Sequence, residues 1–208
     1  MEQVQGAAPR RVRTRMVGAA RAEQIIQATI RLIADRGYWG LSMQDVADTC
    51  GLTVPGILHH VASKEGLLTK VLEYVDAEDE RLLSAELGLD SGLPYESWAG
   101  QTSLADVCAA AVRANVRRPE LVRFLLVLQA ESLSLAHPAH KHLMERDRRA
   151  IDRLAVLDAS ANDRSRARAI HAYSTLIGLQ MMWCREPEAF DLVGAWATAS
   201  NEIFKQDQ

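Results

Sequence analysis

Residues 51–68 read GLTVPGILHHVASKEGLL. Gly51 stands where a short helix must stop, since glycine takes the left-handed conformation at no steric cost. Thr53 follows with a hydroxyl suited to a free N–H of the next helical turn, and Pro55 falls in that turn, where a missing N–H costs little. In the helix that begins here, Ile57, Leu58 and Val61 share one side, while Pro55, Gly56, His59 and His60 share the other. Ser63 repeats the capping arrangement before Lys64. The helix it starts runs through Leu67, Leu68, Val71, Leu72, Val75, Leu82 and Leu83 to about Leu87.

Upstream, Ile25, Ile26, Thr29, Leu32 and Ile33 form one apolar stripe of a first helix that Gly37 stops. Ser42 lies three residues before Asp45, close to a capping box with Asp in place of Glu. Met43, Val46, Ala47 and Cys50 then share one face of a short second helix. Two short helices joined at a glycine are the core of a helix-turn-helix. Small residues at the start of an outward face allow close approach to a groove, and two histidines beyond them can donate to phosphates or bases. The plain alternative is the solvated face of a small helix.

The charge distribution favours the first view. The chain has 208 residues and a formal net charge of −3. Residues 1–74 hold nine Lys/Arg against seven Asp/Glu, a balance of +2; residues 75–208 hold fifteen against twenty, a balance of −5. A polyanion is therefore met by the N-terminal part. Residues 1–18 read as a flexible arm in which Arg10, Arg11, Arg13 and Arg15 either follow a minor groove or form a solvated tail.

The stretch from Arg21 to Leu68, about a quarter of the chain, resembles the DNA-binding domain of the TetR (tetracycline repressor) family. The likeness is carried by Gly37-Tyr38, Leu41-Ser42, Val46-Ala47, Gly51-Leu52-Thr53, Leu58-His59-His60-Val61 and Ser63-Lys64-Glu65 with Leu67-Leu68. It implies that Ser42 and Thr53 touch DNA phosphates and that Gln44 reaches a base edge or the backbone. It places Val54, Pro55 and Gly56 at the major-groove floor, puts His60 at a DNA-contacting position, and has Lys64 clamp a phosphate together with its helix N-terminus. Leu58 departs from the family, which commonly has Tyr there; either His59 takes over that contact or the contact is absent.

Beyond a loop at 88–100, helical patterns resume at about 102–117, 119–136, 139–157, 164–185 and 188–205. The expected fold is all-α with about nine helices: an N-terminal three-helix reading domain at 19–66 and a helical effector-binding and dimerisation domain at 67–208. The 164–185 helix is apolar around most of its circumference, and so is the 188–205 helix, so each must be buried on two sides. A second copy of the chain supplies the missing neighbour in a four-helix contact, as the resemblance also implies. Ile170, Tyr173, Ile177, Met181, Trp196 and Phe204 are the expected interface residues. An unknown small-molecule effector is expected inside helices four to eight, near Trp98, Phe124, Leu128, Glu131, Met144, His171 and Gln180.

The function this supports is a homodimeric regulator that binds double-stranded DNA at a palindromic operator and is released by its effector. The alternative is a helical interaction module, or an activator without ligand control. No enzyme fingerprint is present, and no cofactor is expected. His137, His140 and His142 straddle a proline without converging on one face, so they do not read as a metal site. Three widely spaced cysteines suggest reduced thiols. No apolar run reaches the roughly 20 residues of a membrane span, and the N-terminus lacks a secretory pattern; a cytoplasmic protein is expected.

Overall fold

The structure, a computed structural model, describes residues 10–90, 95–158 and 164–205, with side chains from residue 18 in the first stretch and residue 97 in the second. Among these residues the chain forms nine α-helices and a single 3-10 turn. They are α1 (Arg10–Arg36), α2 (Met43–Cys50), α3 (Val54–Val61), α4 (Lys64–Leu87), the 3-10 turn Tyr95–Trp98, α5 (Leu104–Val116), α6 (Pro119–Glu131), α7 (His140–Val156), α8 (Ser165–Arg185) and α9 (Leu192–Phe204). No strand occurs among the described residues, where one isolated bridge joins Ala99 and Thr102.

Local chemistry sets most of these boundaries. Ser42 and Asp45 form a complete capping box at the start of α2, and Gly51 ends it at φ 63°. Thr53 accepts from the Gly56 N–H at 3.3 Å and Ser63 from the Gly66 N–H at 3.0 Å. Between α3 and α4 the chain reverses through Ala62 at φ 60°, with the Ser63 N–H donating to the Val61 carbonyl at 2.6 Å. This three-residue turn is strained for a residue with a Cβ.

Three segments differ from expectation. α1 begins at Arg10, so residues 10–18 of the expected arm continue the helix; they hold no proline, and their four arginines and Met16 are good helix formers. Residues 1–9 lie outside the described residues. α6 ends at Glu131 rather than near 136, and residues 132–139 run as turns; at the first of these the Ser132 hydroxyl donates to the Gln129 carbonyl at 3.0 Å, a local bond of the kind that competes with the helical ladder. α9 begins at Leu192 rather than 188, capped by Asp191, which accepts from the Gly194 N–H at 3.0 Å.

Two apolar clusters hold the molecule. The first joins α1–α3 and the start of α4 (Ile25, Ile33, Val46, Ile57, Leu67, Val71) to α6 and the start of α7 (Phe124, Leu128, Leu143). The second lies among α5, α8 and α9 and includes Trp98, Val107, Ala172, Trp183 and Trp196. The head core thus continues past residue 66 into the body, with α1 lying along α6. At this seam the Tyr38 N–H donates to Glu131 Oε2 at 2.8 Å. Gly37 precedes it at φ 74°, and a Cβ there would lie 2.3 Å from Glu131 Oε1. Glycine at 37 is what lets the carboxylate reach the main chain.

Candidate nucleic-acid interface and cavity

Helices α2 and α3 present the residues singled out for DNA. Ser42, Gln44, Thr53, Pro55 and His59 are exposed, and Gly56, His60 and Lys64 are half-buried. Ile57 and Val61, four apart, are buried. Leu58 was expected to pack with them but is 40% exposed: it lies about 100° around the helix from Ile57, on the edge shared with His59. Val54 is half-buried against the head core rather than projecting with Pro55.

Several of these side chains are already engaged. The Ser42 hydroxyl and N–H both donate to Asp45 Oδ2, at 2.5 and 3.0 Å, which holds the Asp45 carboxyl below its ordinary range. Gln44 Nε2 donates to Asp48 at 2.6 Å. The Lys64 ammonium sits 4.4 Å from the centre of the Tyr38 ring, and the Tyr38 hydroxyl donates to Glu65 at 3.5 Å. Burial, then the Glu65 charge, push the Tyr38 phenol up to about 12, so it stays a neutral donor. Glu131, Tyr38 and Lys64 therefore form one line from the body to the start of α4. Sequence reasoning placed Lys64 but missed Tyr38 as its support, although the Gly37-Tyr38 pair marked the spot.

A cavity of about 400 Å³ opens in the body between α4, α5, α6, α7 and α8, within the roughly 300–1,000 Å³ typical of small-molecule sites. Of the seven residues expected to line it, Trp98 and Gln180 do. Phe124 and Leu128 instead fill the head core. Glu131 holds the Tyr38 N–H, Met144 is 44% exposed, and His171 faces outward. The reason lies in α6, which is apolar on two sides: Phe124 and Leu128 face α1, while Val122, Leu125 and Leu126 face the cavity.

The cavity's polar wall was missed. Asp76 and Asp79 of α4 face Arg146 of α7, whose Nε donates to Asp76 Oδ1 at 2.8 Å and whose Nη2 pairs with Asp79 Oδ2. Arg118 reaches Asp79 Oδ1 at 2.8 Å, and Arg149 and His142 reach Asp76 at 3.5 and 3.1 Å. The signal was there: Asp76/Asp79 and Arg146/Arg149 are both i,i+3 pairs, each on one helical face.

The three histidines once weighed as a metal site go to different partners. His137 Nε2 lies 3.6 Å from Glu131, His140 Nδ1 2.7 Å from the Ser132 carbonyl, and His142 pairs with Asp76. No group of three potential metal ligands occurs among the described residues. No described helix is long and apolar enough to cross a membrane.

On α8, Ile170, Met181 and Met182 are 43, 41 and 52% exposed, and Val193 on α9 is 45% exposed. They form an apolar strip with Ser174, Gly178 and Ala197, and Phe204 is half-buried beside it. Three other expected interface residues lie elsewhere: Tyr173 and Ile177 line the cavity, and Trp196 is buried in the body core. Each helix has two apolar faces, and periodicity does not say which one the chain covers by itself.

Residues 25–71 match the model for bacterial regulatory proteins of the tetR family. The HTH-type transcriptional repressor KstR2 of Mycolicibacterium smegmatis is 33% identical over 54 residues, 26% of each chain. The chain spans only 18% and 26% of the lengths of the curated relatives it matches. In overall fold it is similar to a TetR transcriptional regulator from Chloroflexus aurantiacus (TM-score 0.70, 20% identity, covering 92% of this chain and 98% of that one). The SmeT–triclosan complex is also similar (TM-score 0.69, 17% identity, covering 88% and 90%).

Proposed function

From a chain whose residues 25–71 match the model for bacterial regulatory proteins of the tetR family, we propose a homodimeric transcriptional repressor that leaves a palindromic DNA operator when a small molecule occupies the body cavity. In this reading residues 19–66 read DNA and residues 67–208 bind the effector and dimerise. The observation that carries it is the outward face of α3 (Pro55, Gly56, His59, His60) standing beside Lys64 at a capped helix start. Small residues let that face enter a major groove, while Ser42, Thr53 and Lys64 meet phosphates on either side. With Val54 half-buried, base readout rests on few side chains, and DNA shape carries more of the specificity.

Two heads must sit about 34–36 Å apart to enter successive grooves. The exposed apolar strip of α8 and α9 supports pairing by a second copy, and α4 runs from the DNA face to the cavity wall, so a ligand there bears on head spacing. The named repressor relative and the ligand-bound structure of the same fold accord with this reading.

The test is a mobility shift with DNA from upstream of the gene across a salt series. Wild-type protein should form a fragment-specific complex that weakens with salt. Lys64→Ala and His60→Ala should each weaken it by about tenfold, roughly the 1–3 kcal/mol of one polar DNA contact. Absence of a complex on any genomic fragment, from a folded dimer, would leave an interaction module instead.

A further inference from the structure

The two walls of the cavity hold each other through ions. α4 packs on α1, α3 and α5, and α7 packs on α8, α5 and the 3-10 turn. Across the space between them, Asp76 and Asp79 meet Arg146, Arg149 and His142 of α7, and Arg118 joins from the start of α6. The central feature is Asp79. Arg118 pairs with its Oδ1 at 2.8 Å while Arg146 pairs with its Oδ2. Two guanidiniums thus straddle one planar carboxylate, each meeting one of its oxygens, and guanidinium–carboxylate contacts are among the strong charge-assisted pairs.

Charge and depth indicate which partner is replaceable. The lining holds four guanidiniums (Arg118, Arg146, Arg149, Arg153) against three carboxylates (Asp76, Asp79, Glu80). The Arg118 and Arg146 side chains are 18% exposed, against 27% for Asp79. Breaking a sheltered ion pair is costly mainly through the charge left alone. A cationic ligand would displace the deeper, more numerous guanidiniums. An anionic ligand displaces a carboxylate that can turn toward water, and it leaves the arginines satisfied. The rest of the lining is mostly apolar, from Leu126 and Val122 past Val107 and Leu154 to Trp98, interrupted by the amides of Asn115, Gln129 and Gln180.

Building on the effector reading above, we propose that this cavity takes an amphipathic monocarboxylate whose carboxylate replaces that of Asp79 between Arg118 and Arg146. Its apolar body fills the slot that ends at Trp98. Seating it frees Asp79 and with it one of the ties between α4 and the body.

The experiment is calorimetric titration of the full chain, without DNA, with decanoate and decyltrimethylammonium below their micelle concentrations and decanol below its solubility limit. Decanoate should bind at least about tenfold more tightly than either of the others, a difference of ~1.4 kcal/mol. Arg118→Gln should weaken decanoate. Asp79→Asn removes the competing charge and should tighten it about tenfold, a gain that misfolding does not produce. A preference for the ammonium, equal binding of decanol, no binding of the three, or no gain in Asp79→Asn overturns the proposal. Protein that binds its DNA fragment but not decanoate overturns the ligand class alone. Protein that ranks the three ligands as expected but recognises no DNA overturns the regulator reading and leaves the ligand class standing.

Discussion

His137 shows how much one side chain's surroundings decide. Its ring is buried against Tyr38 and Trp39, with centroids 5.1 and 5.4 Å away, and its Nδ1 accepts from the Ala139 N–H at 3.1 Å. Burial lowers its pKa, and the Glu131 carboxylate opposes but does not reverse this. A folded-state pKa below the unfolded value of about 6.5 means that the folded protein favours neutral imidazole. The stabilisation is complete above that value and is lost as pH falls through the folded pKa. Urea midpoints should therefore drop between pH 7.5 and the acid side of 6, and His137→Asn, which keeps an acceptor for Ala139, should flatten that drop. An unchanged pH profile in the variant would put the effect elsewhere. None of this was legible beforehand, because Glu131 serves an N–H 93 residues away and spacing along the chain cannot show that. The arrangement of Ser42, Thr53 and Lys64 was more legible because they lie in one short stretch whose caps and glycines dictate its geometry.

At the scale of elements, legibility followed end chemistry. The bounds of α2, α3 and α4 were readable because Ser42, Thr53 and Ser63 cap them and Gly51 closes the first. The ends of α6 and α9 were not, since the apolar pattern continues through Leu133 and Leu135, which are 84 and 83% exposed in the turns before Pro138. α3, like α2, has only eight residues, and helices that short have little stability of their own and lean on their caps. Thr53→Ala should cost about 1 kcal/mol in urea unfolding and weaken DNA binding with it, whereas Thr53→Ser should keep both. If the alanine variant unfolds like wild type, α3 is held by Ile57 and Val61 packing and not by its cap.

For the whole molecule, the all-α class and its two-sided last helices followed from periodicity, but the division of faces between core, cavity and partner did not. That division makes a clear prediction. Sedimentation should find a dimer, and Ile170→Glu or Met181→Glu, on the exposed strip, should yield folded monomers. Trp196→Ala should instead destabilise the fold by about 3–5 kcal/mol, as loss of a buried aromatic does, so monomers from this variant at full stability would count against the assignment of faces. The continuity of α4 has one more consequence. Lys64 and the Asp76–Asp79 pair sit on one uninterrupted helix, about 18–22 Å apart along its axis at 1.5 Å per residue. Influence along such a rod runs both ways by thermodynamic necessity. If a ligand at the carboxylates lowers affinity for DNA by some factor, DNA on Lys64 lowers affinity for that ligand by the same factor. The operator is then itself an effector of the cavity: protein on DNA is the population least sensitive to ligand, and unbound protein responds first.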